Sequence, residues 1–409
     1  MRNLKVDSQR LWASLMEMAE IGALPHGGCG RLALTDLDRE GRDPFVRWCE
    51  EEGCTVTVDS LGNIFARRPG RDPSRKPVAT GSHLDTQPHG GKFDGVLGVL
   101  AGLEVLRSLN DAEIETEAPV EVCVWTNEEG CRFTPSMGSS GVFGGLYAPE
   151  EVLEVRDVDG KSFGEELSRI GYAGAEACGD HVFETFYELH IEQGPILEAA
   201  KKQVGIVTGV QGFRWYDVVL KGQDAHAGPT PMEVRRDAML AAAHMVELVI
   251  QAGRARPPHG RGTVGHMRVL PNSRNTIPGE VHFTIDVRHP DPAVLDAMAA
   301  ELLQAICRSA EQDSVDIETT EVTHSAPISF DESCVAAVRS AVERLGYAHM
   351  DVVSGAGHDA VNISRVAPTS MIFIPCANGL SHNEEERIEP EQAETGANVL
   401  LNAILDRAG

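Results

Sequence analysis

Four short stretches of the chain place imidazole and carboxylate side chains directly after runs that read as strands. They are His83 and Asp94 in "GSHLDTQPHGGKFDGVLGVLAG", Glu128 and Glu129 in "WTNEEG", His190 in "YELHIEQGP" and His382 in "GLSHN". Imidazole combined with carboxylate suits borderline divalent cations such as zinc, manganese, cobalt or nickel, and no cysteine stands within the four stretches, so a closed zinc-thiolate site is not indicated. Two cations that share a carboxylate and activate water against a carbonyl need about five ligands, a bridge and an uncommitted base. Asp94 could bridge, His83, Glu129, His190 and His382 could ligate, and Glu128 would remain as the base. Asp85, two positions from His83, could fix the other nitrogen of that imidazole. Taken singly, each residue has a plainer reading: a surface histidine, a solvated acidic pair, or, for Asp94, a helix N-cap. Their joint placement at strand ends favours a site.

Such a site needs elements that bring four strand ends together. "PVAT" before Gly81 reads as a strand, Val96, Val99, Leu100, Leu103 and Leu106 follow at helical spacing, and "VEVCVW" at 120 to 125 reads as the next strand. Strand-helix-strand alternation predicts a largely parallel sheet, with chemistry just past the carboxyl ends of its strands. From about residue 209 the pattern becomes β-α-β-β-α-β, the split ferredoxin-like unit, and after about 326 it returns to helix, the strand "SMIFIP" and the loop "CANGLSHNEEE". The expected fold is therefore α/β, a mixed, largely parallel central sheet flanked by helices. Residues 1–208 and 326–409 would form the catalytic domain, and 209–325 an inserted α+β lid and dimerisation domain.

A chain of 409 residues exceeds one ordinary core, and 42% hydrophobic with 24% charged residues is the composition of a soluble globular protein. The net charge of −26 argues against nucleic-acid and anionic-membrane partners. No apolar run approaches the roughly 20 residues of a membrane helix, and "MRNLKVDSQRLWASLMEMAEIG" is amphipathic rather than a signal peptide, so a cytoplasmic location is expected. Nine scattered cysteines without a C-x-x-C pair indicate neither a disulfide framework nor a zinc ribbon.

With these motifs in place, the chain resembles the M20 metallopeptidase-like amidohydrolases, in the branch of N-carbamoyl-amino-acid hydrolases, β-ureidopropionases (β-alanine synthases) and allantoate amidohydrolases. The resemblance runs nearly end to end, through the stretches above and "GQDAHAGPTPM", "PNSRNTIPGEVHFTIDVRH" and "GAGHDA". It implies two divalent metal ions per subunit (zinc, manganese, cobalt or nickel) on His83, Asp94, Glu129, His190 and His382, with Glu128 as general base. Peptidase relatives generally carry a carboxylate where this chain has His190, which favours the carbamoyl branch. The resemblance also implies that His226 stabilises the oxyanion, plausibly across a homodimer, and that Asn275 and Arg288 hold the substrate carboxylate. Gln193 would orient the ureido group, with Gly357 and the His358 ring nearby. The plainer readings are a turn residue for His226 and a surface ion pair for Arg288.

The implied reaction is hydrolysis of the ureido amide of a small N-carbamoyl amino acid or β-ureidopropionate, giving the amino acid, carbon dioxide and ammonia. Allantoate amidohydrolase is the alternative. A peptidase, an aminoacylase or an inactive binding protein fits the residues less well. A further expectation is that the inserted domain closes on hinges near Gly209 to Gly212 and Ser325 to Pro327.

Overall fold

Separate hydrophobic cores organise the two compact units, with a smaller cluster around Phe133 and Phe163 in the first. The computed structural model describes residues 3–409; Met1 and Arg2, which begin the amphipathic opening stretch, lie outside the described residues. The first unit comprises the chain up to Thr208 together with Phe330–Gly409, and the second comprises Gly209–Ser329. The return to the first unit falls at Phe330 because Ile328 and Ser329 pair antiparallel with Val210 and Gly209, which keeps them in the second unit.

The sheet of the first unit runs in spatial order Thr55–Val58, Ile64–Arg68, Val120–Trp125, Val78–His83, Thr185–Ile191, Thr369–Ile374, Val204–Val210. Its centre is parallel: Val78–His83 lies between Val120–Trp125 and Thr185–Ile191, and Thr369–Ile374 extends the parallel run. All four central strands are buried throughout, as parallel strands covered on both faces must be. Antiparallel neighbours flank them on each side, so the sheet is mixed but largely parallel at its core. Helices Ser8–Glu20, Val96–Asp111, Glu332–Leu345 and Pro390–Ala408 pack on one another, and the last three also contact the sheet.

The helix Val96–Asp111 lies unusually close to the strand ends. A Cβ at Gly98 would meet the Leu189 carbonyl oxygen at 2.4 Å and Ser82 Cβ at 2.9 Å, so only glycine lets the helix rest on the strands that end in His83 and His190. Gly95 begins this helix at φ 69, and no side chain caps it, so Asp94 is not spent as an N-cap.

In the second unit, Glu280–His289 pairs antiparallel with Gly212–Lys221, which pairs on its other side with Asp316–Ser325; Met267–Leu270 forms the opposite edge. Two short strands of this sheet, Arg261–Thr263 and Met267–Leu270, stand where the β-α-β-β-α-β pattern has one. Burial alternates residue by residue along Glu280–His289, and helices Ala238–Arg254 and Pro292–Gln312 cover the buried face.

Helix propensity alone would make Gly98→Ala stabilising by about 1 kcal/mol. The contact with Leu189 reverses the sign: a destabilisation of about 1–3 kcal/mol is expected, read as a lower urea midpoint.

Candidate functional site

His83 is the last residue of its strand and His190 the penultimate residue of the neighbouring one, so the parallel sheet delivers both rings to one edge. His83 Nδ1 faces the Asp85 carbonyl oxygen at 2.8 Å, and His190 Nδ1 faces that of Ile191 at 2.9 Å. A carbonyl only accepts, so each Nδ1 carries its proton and each Nε2 is the atom turned toward Asp94. Asp94 Oδ1 lies 3.1 Å from His190 Nε2 and 3.7 Å from His83 Nε2. Asp94 Oδ2 lies 3.4 Å from His382 Nε2, which is also 3.4 Å from Glu129 Oε2. Two donor groups result, His83–Asp94–His190 and Asp94–Glu129–His382, each with its ligand atoms within 4.8 Å of one another and both containing Asp94.

Glu128 belongs to neither group. Its Oε2 lies 3.6 Å from His83 Nε2. Burial pushes its carboxyl well above the usual range, against the pull of His83. Glu129 is pushed up to about 8, by burial and then by Asp94. Burial raises Asp94 as well, but the neighbouring His190 and His83 imidazoles outweigh it and hold that carboxylate well below the usual range.

Local backbone geometry turns these side chains inward. Asn127, Gln193 and His382 have φ of 60, 55 and 53, left-handed values uncommon for residues with a Cβ. Each stands at a point where the chain leaves a strand or crosses a loop and must reverse direction sharply. Asn127 is held there by donating to the Phe133 carbonyl at 2.8 Å, and Glu128 and Glu129 follow.

Asp85 acts differently from the sequence expectation. Its backbone carbonyl, not its carboxylate, faces His83. The carboxylate instead accepts the backbone N–H groups of Glu128 and Glu129, both at 3.3 Å, and so ties the two strand ends together. Gln193 donates to Asp94 Oδ2 at 2.8 Å, while its own Oε1 is buried without a hydrogen-bond partner. The buried His358 ring lies tilted against that of His190, centroids 4.5 Å apart, and faces Ser354 Oγ; burial, then His190, holds its pKa well below the usual value. Gly357, beside it, faces the Met137 side chain.

Several residues of the site were not singled out from the sequence. Gln87 donates to Glu129 Oε2 at 2.7 Å. Ser381 Oγ lies 2.8 Å from Asp94 Oδ2 and 2.8 Å from Glu386 Oε2. Glu188 accepts from Ser82 Oγ at 2.7 Å and from the Ala360 N–H at 2.9 Å. Asp359 is wholly buried and its carboxyl is pushed well above the usual range, by burial and then by Glu188. Gln87 and Glu386 lie inside motifs already noted, but adjacent polar residues look like surface until their burial is known.

In the second unit, His226 pairs with Thr276 in a two-residue ladder, beside Asn275. The Gly228 N–H donates to His226 Nδ1 at 3.1 Å, which leaves the ring proton on Nε2. His226 thus ends a short strand at the start of a turn, exposed, with its donor at Nε2. Arg288 is not beside them. Glu280 pairs with Lys221 at one end of its strand and Arg288 with Phe213 near the other, roughly 27 Å away at strand rise. The Arg288 guanidinium engages the Asp286 carboxylate at 2.7 and 3.0 Å and lies over the Phe213 ring.

The sequence profile described as "Peptidase family M20/M25/M40" matches residues 79–406. An N-carbamoyl-L-amino-acid amidohydrolase of Rhizobium meliloti is 51% identical, over 99% of this chain and 98% of its own. An allantoate amidohydrolase of Bacillus subtilis is 32% identical, over 95% and 94%. The solved structure of an amidase of the hydantoinase/carbamoylase family from Burkholderia multivorans is 58% identical and superposes with a TM-score of 0.97, covering 100% of this chain and 99% of that one.

Proposed function

The chain belongs to the peptidase family M20/M25/M40, and from that premise we propose that it is a metal-dependent hydrolase of the carbamoyl amide of N-carbamoyl-L-amino acids. The observation that carries the site assignment is Asp94, whose two oxygens face two separate histidine-containing groups while Glu128 stands beside them uncommitted. The donor set of imidazole and carboxylate fits divalent zinc, manganese, cobalt or nickel. His83, His190 and Asp94 would hold one ion and Asp94, Glu129 and His382 a second. Bound there, the ions supply Lewis-acid polarisation of a ureido carbonyl, which is a poor electrophile because two nitrogens donate into it, and acidify the attacking water.

Glu128 takes the proton of the attacking water and returns it to the leaving nitrogen, a role suited to a buried carboxyl whose proton affinity is raised. His226 donates its Nε2 proton to the developing oxyanion. The guanidinium of Arg288 takes the substrate carboxylate as a planar fork, with Asn275 as its polar partner from another side. Gln193 offers its unpartnered Oε1 to the ureido nitrogen, and Gly357 with His358 completes the substrate contacts.

The separation within the second unit supports a homodimer. Arg288 stands at the strand end next to Gly212, whereas His226 and Asn275 follow from the opposite end. One copy of this unit does not bring all three to a single small substrate, and a second copy across a two-fold axis would supply His226 and Asn275.

Ammonia release from N-carbamoyl-L-methionine, β-ureidopropionate, allantoate and a dipeptide, after chelation and after metal add-back, tests the assignment. Metal-restored turnover of the carbamoyl amino acid is expected; turnover of allantoate alone would move the chain to that activity. Glu128→Gln should lower kcat by about 10²–10⁴-fold with bound metal unchanged. Asp94→Asn should weaken both ions together, measured as metal retained per chain after desalting. In a 1:1 mixture of Glu128→Gln and His226→Ala chains, refolded together, action across a two-fold dimer predicts recovery of about a quarter of wild-type activity. Action within one chain predicts none.

A further inference from the structure

We infer that Glu386 is a positioning residue that builds the second cation subsite, by fastening the His382 loop to the Asp94 loop; the inference rests on the two-cation reading above. The two donor groups are constructed differently. In the first, His83 and His190 project from adjacent buried strands, and each ring is fixed by a backbone carbonyl at its own strand exit. The second depends on His382, which lies in a loop, has a left-handed backbone and is half exposed. Something other than a strand must hold it within reach of Asp94.

Glu386, four residues after His382 and 4% exposed, spans the gap. Its Oε1 accepts the backbone N–H groups of Phe93 at 3.0 Å and Asp94 at 3.1 Å. Its Oε2 lies 2.8 Å from the Ser381 hydroxyl, which lies 2.8 Å from Asp94 Oδ2. One carboxylate therefore links residue 94 through its amide and, through the residue preceding His382, through its side chain. Gly91 makes room for it: a Cβ there would lie 2.0 Å from the Glu386 carboxyl carbon. Glu384 adds an outer tie from the same loop, its Oε1 lying 2.9 Å from His89 Nδ1.

Asp94 itself keeps other anchors. The Val96 N–H bonds its carbonyl at 2.7 Å and Gln193 donates to its Oδ2 at 2.8 Å. Loss of the Glu386 carboxyl should accordingly loosen His382 far more than it displaces Asp94 from the first group. Buried carboxylates of this kind, which orient ligands without touching the ion, typically change metal affinity by about 10–100-fold.

The test is calorimetric titration of the chelator-stripped full-length chain with Mn²⁺ alone, with the metal-free melting curve as a check on folding. Wild type is expected to bind two ions per chain. Glu386→Ala is expected to keep one ion within about threefold of wild-type affinity and to bind the other at least about tenfold more weakly. Glu386→Gln, whose amide oxygen can still accept the two N–H groups while its NH₂ donates to Ser381, is expected to restore the second ion. Wild-type binding of both ions by Glu386→Ala, equal weakening of both, or loss in Glu386→Gln as complete as in Glu386→Ala would each overturn the inference. If Glu386→Ala does not fold, Ser381→Ala gives the same reading: selective weakening of one ion supports the link, and equal or absent weakening overturns it. Fewer than two ions on wild type would overturn the two-cation reading itself, an outcome visible before any variant is measured.

Discussion

The arrangement around Asp94 depends on a single constraint: one buried carboxylate must face two sets of donors at once. Its oxygens stand 3.1 and 3.4 Å from histidines that lie on opposite sides of it in space and 192 positions apart in the chain by their numbers, His190 and His382. Glu128, Glu129 and Asp85 crowd the same edge, and burial raises all three carboxyls. Taking that much acid out of water is costly unless opposite charge compensates it. Histidine rings alone answer part of the demand, and the proposed divalent cations would answer the rest. The parallel strands, the short helix approach at Gly98 and the clasp of Glu386 all serve this one carboxylate.

Three of the left-handed non-glycine residues stand where the candidate ligands leave the regular elements. Asn127, Gln193 and His382 take left-handed backbone conformations within or directly before the site, and in each case the surroundings hold the residue in place. Asn127 is tied to Phe133, Gln193 to Asp94, and His382 to the loop that Glu386 anchors. Such positions cost stability and persist only where neighbouring contacts over-determine them. The buried sheet supplies that excess: its four central strands expose no residue, so their ends are fixed points from which short, bent connections can be aimed.

The second unit carries a different kind of chemistry. Its polar candidates are mounted on an antiparallel sheet with one face covered, and the two ends of the Glu280–His289 strand present different tools. Arg288, stacked on Phe213 and paired with Asp286, is a preorganised fork. His226, with its Nδ1 occupied by Gly228, is a directed donor. An anion binder and an oxyanion donor carried on one unit in this way are what the proposed symmetric pair would use.

Much of this was legible in the chain because strong local signals coincide with function. Short apolar runs alternating with helical apolar spacing foretell the sheet and the helix Val96–Asp111, and the glycine-rich stretch around His83 and Asp94 marks a place where backbone must approach closely. Ligand types at strand ends, His83, Asp94, Glu129, His190 and His382, are recognisable because imidazole and carboxylate in that setting have few other uses. What the chain alone left open depends on burial and direction. Glu386 looks like a surface residue until the fold encloses it, and Gln87 until its amide meets Glu129. Asp85 is near His83 in sequence, but only the turn of the backbone decides that its carbonyl meets the ring and its carboxylate meets Glu128 and Glu129. Asn275 and Arg288 look like partners thirteen residues apart until strand register sends them to opposite ends. Residue type and spacing determine which chemistry is available; long-range packing, which no local pattern encodes, decides which atoms face each other and which charges lose their water.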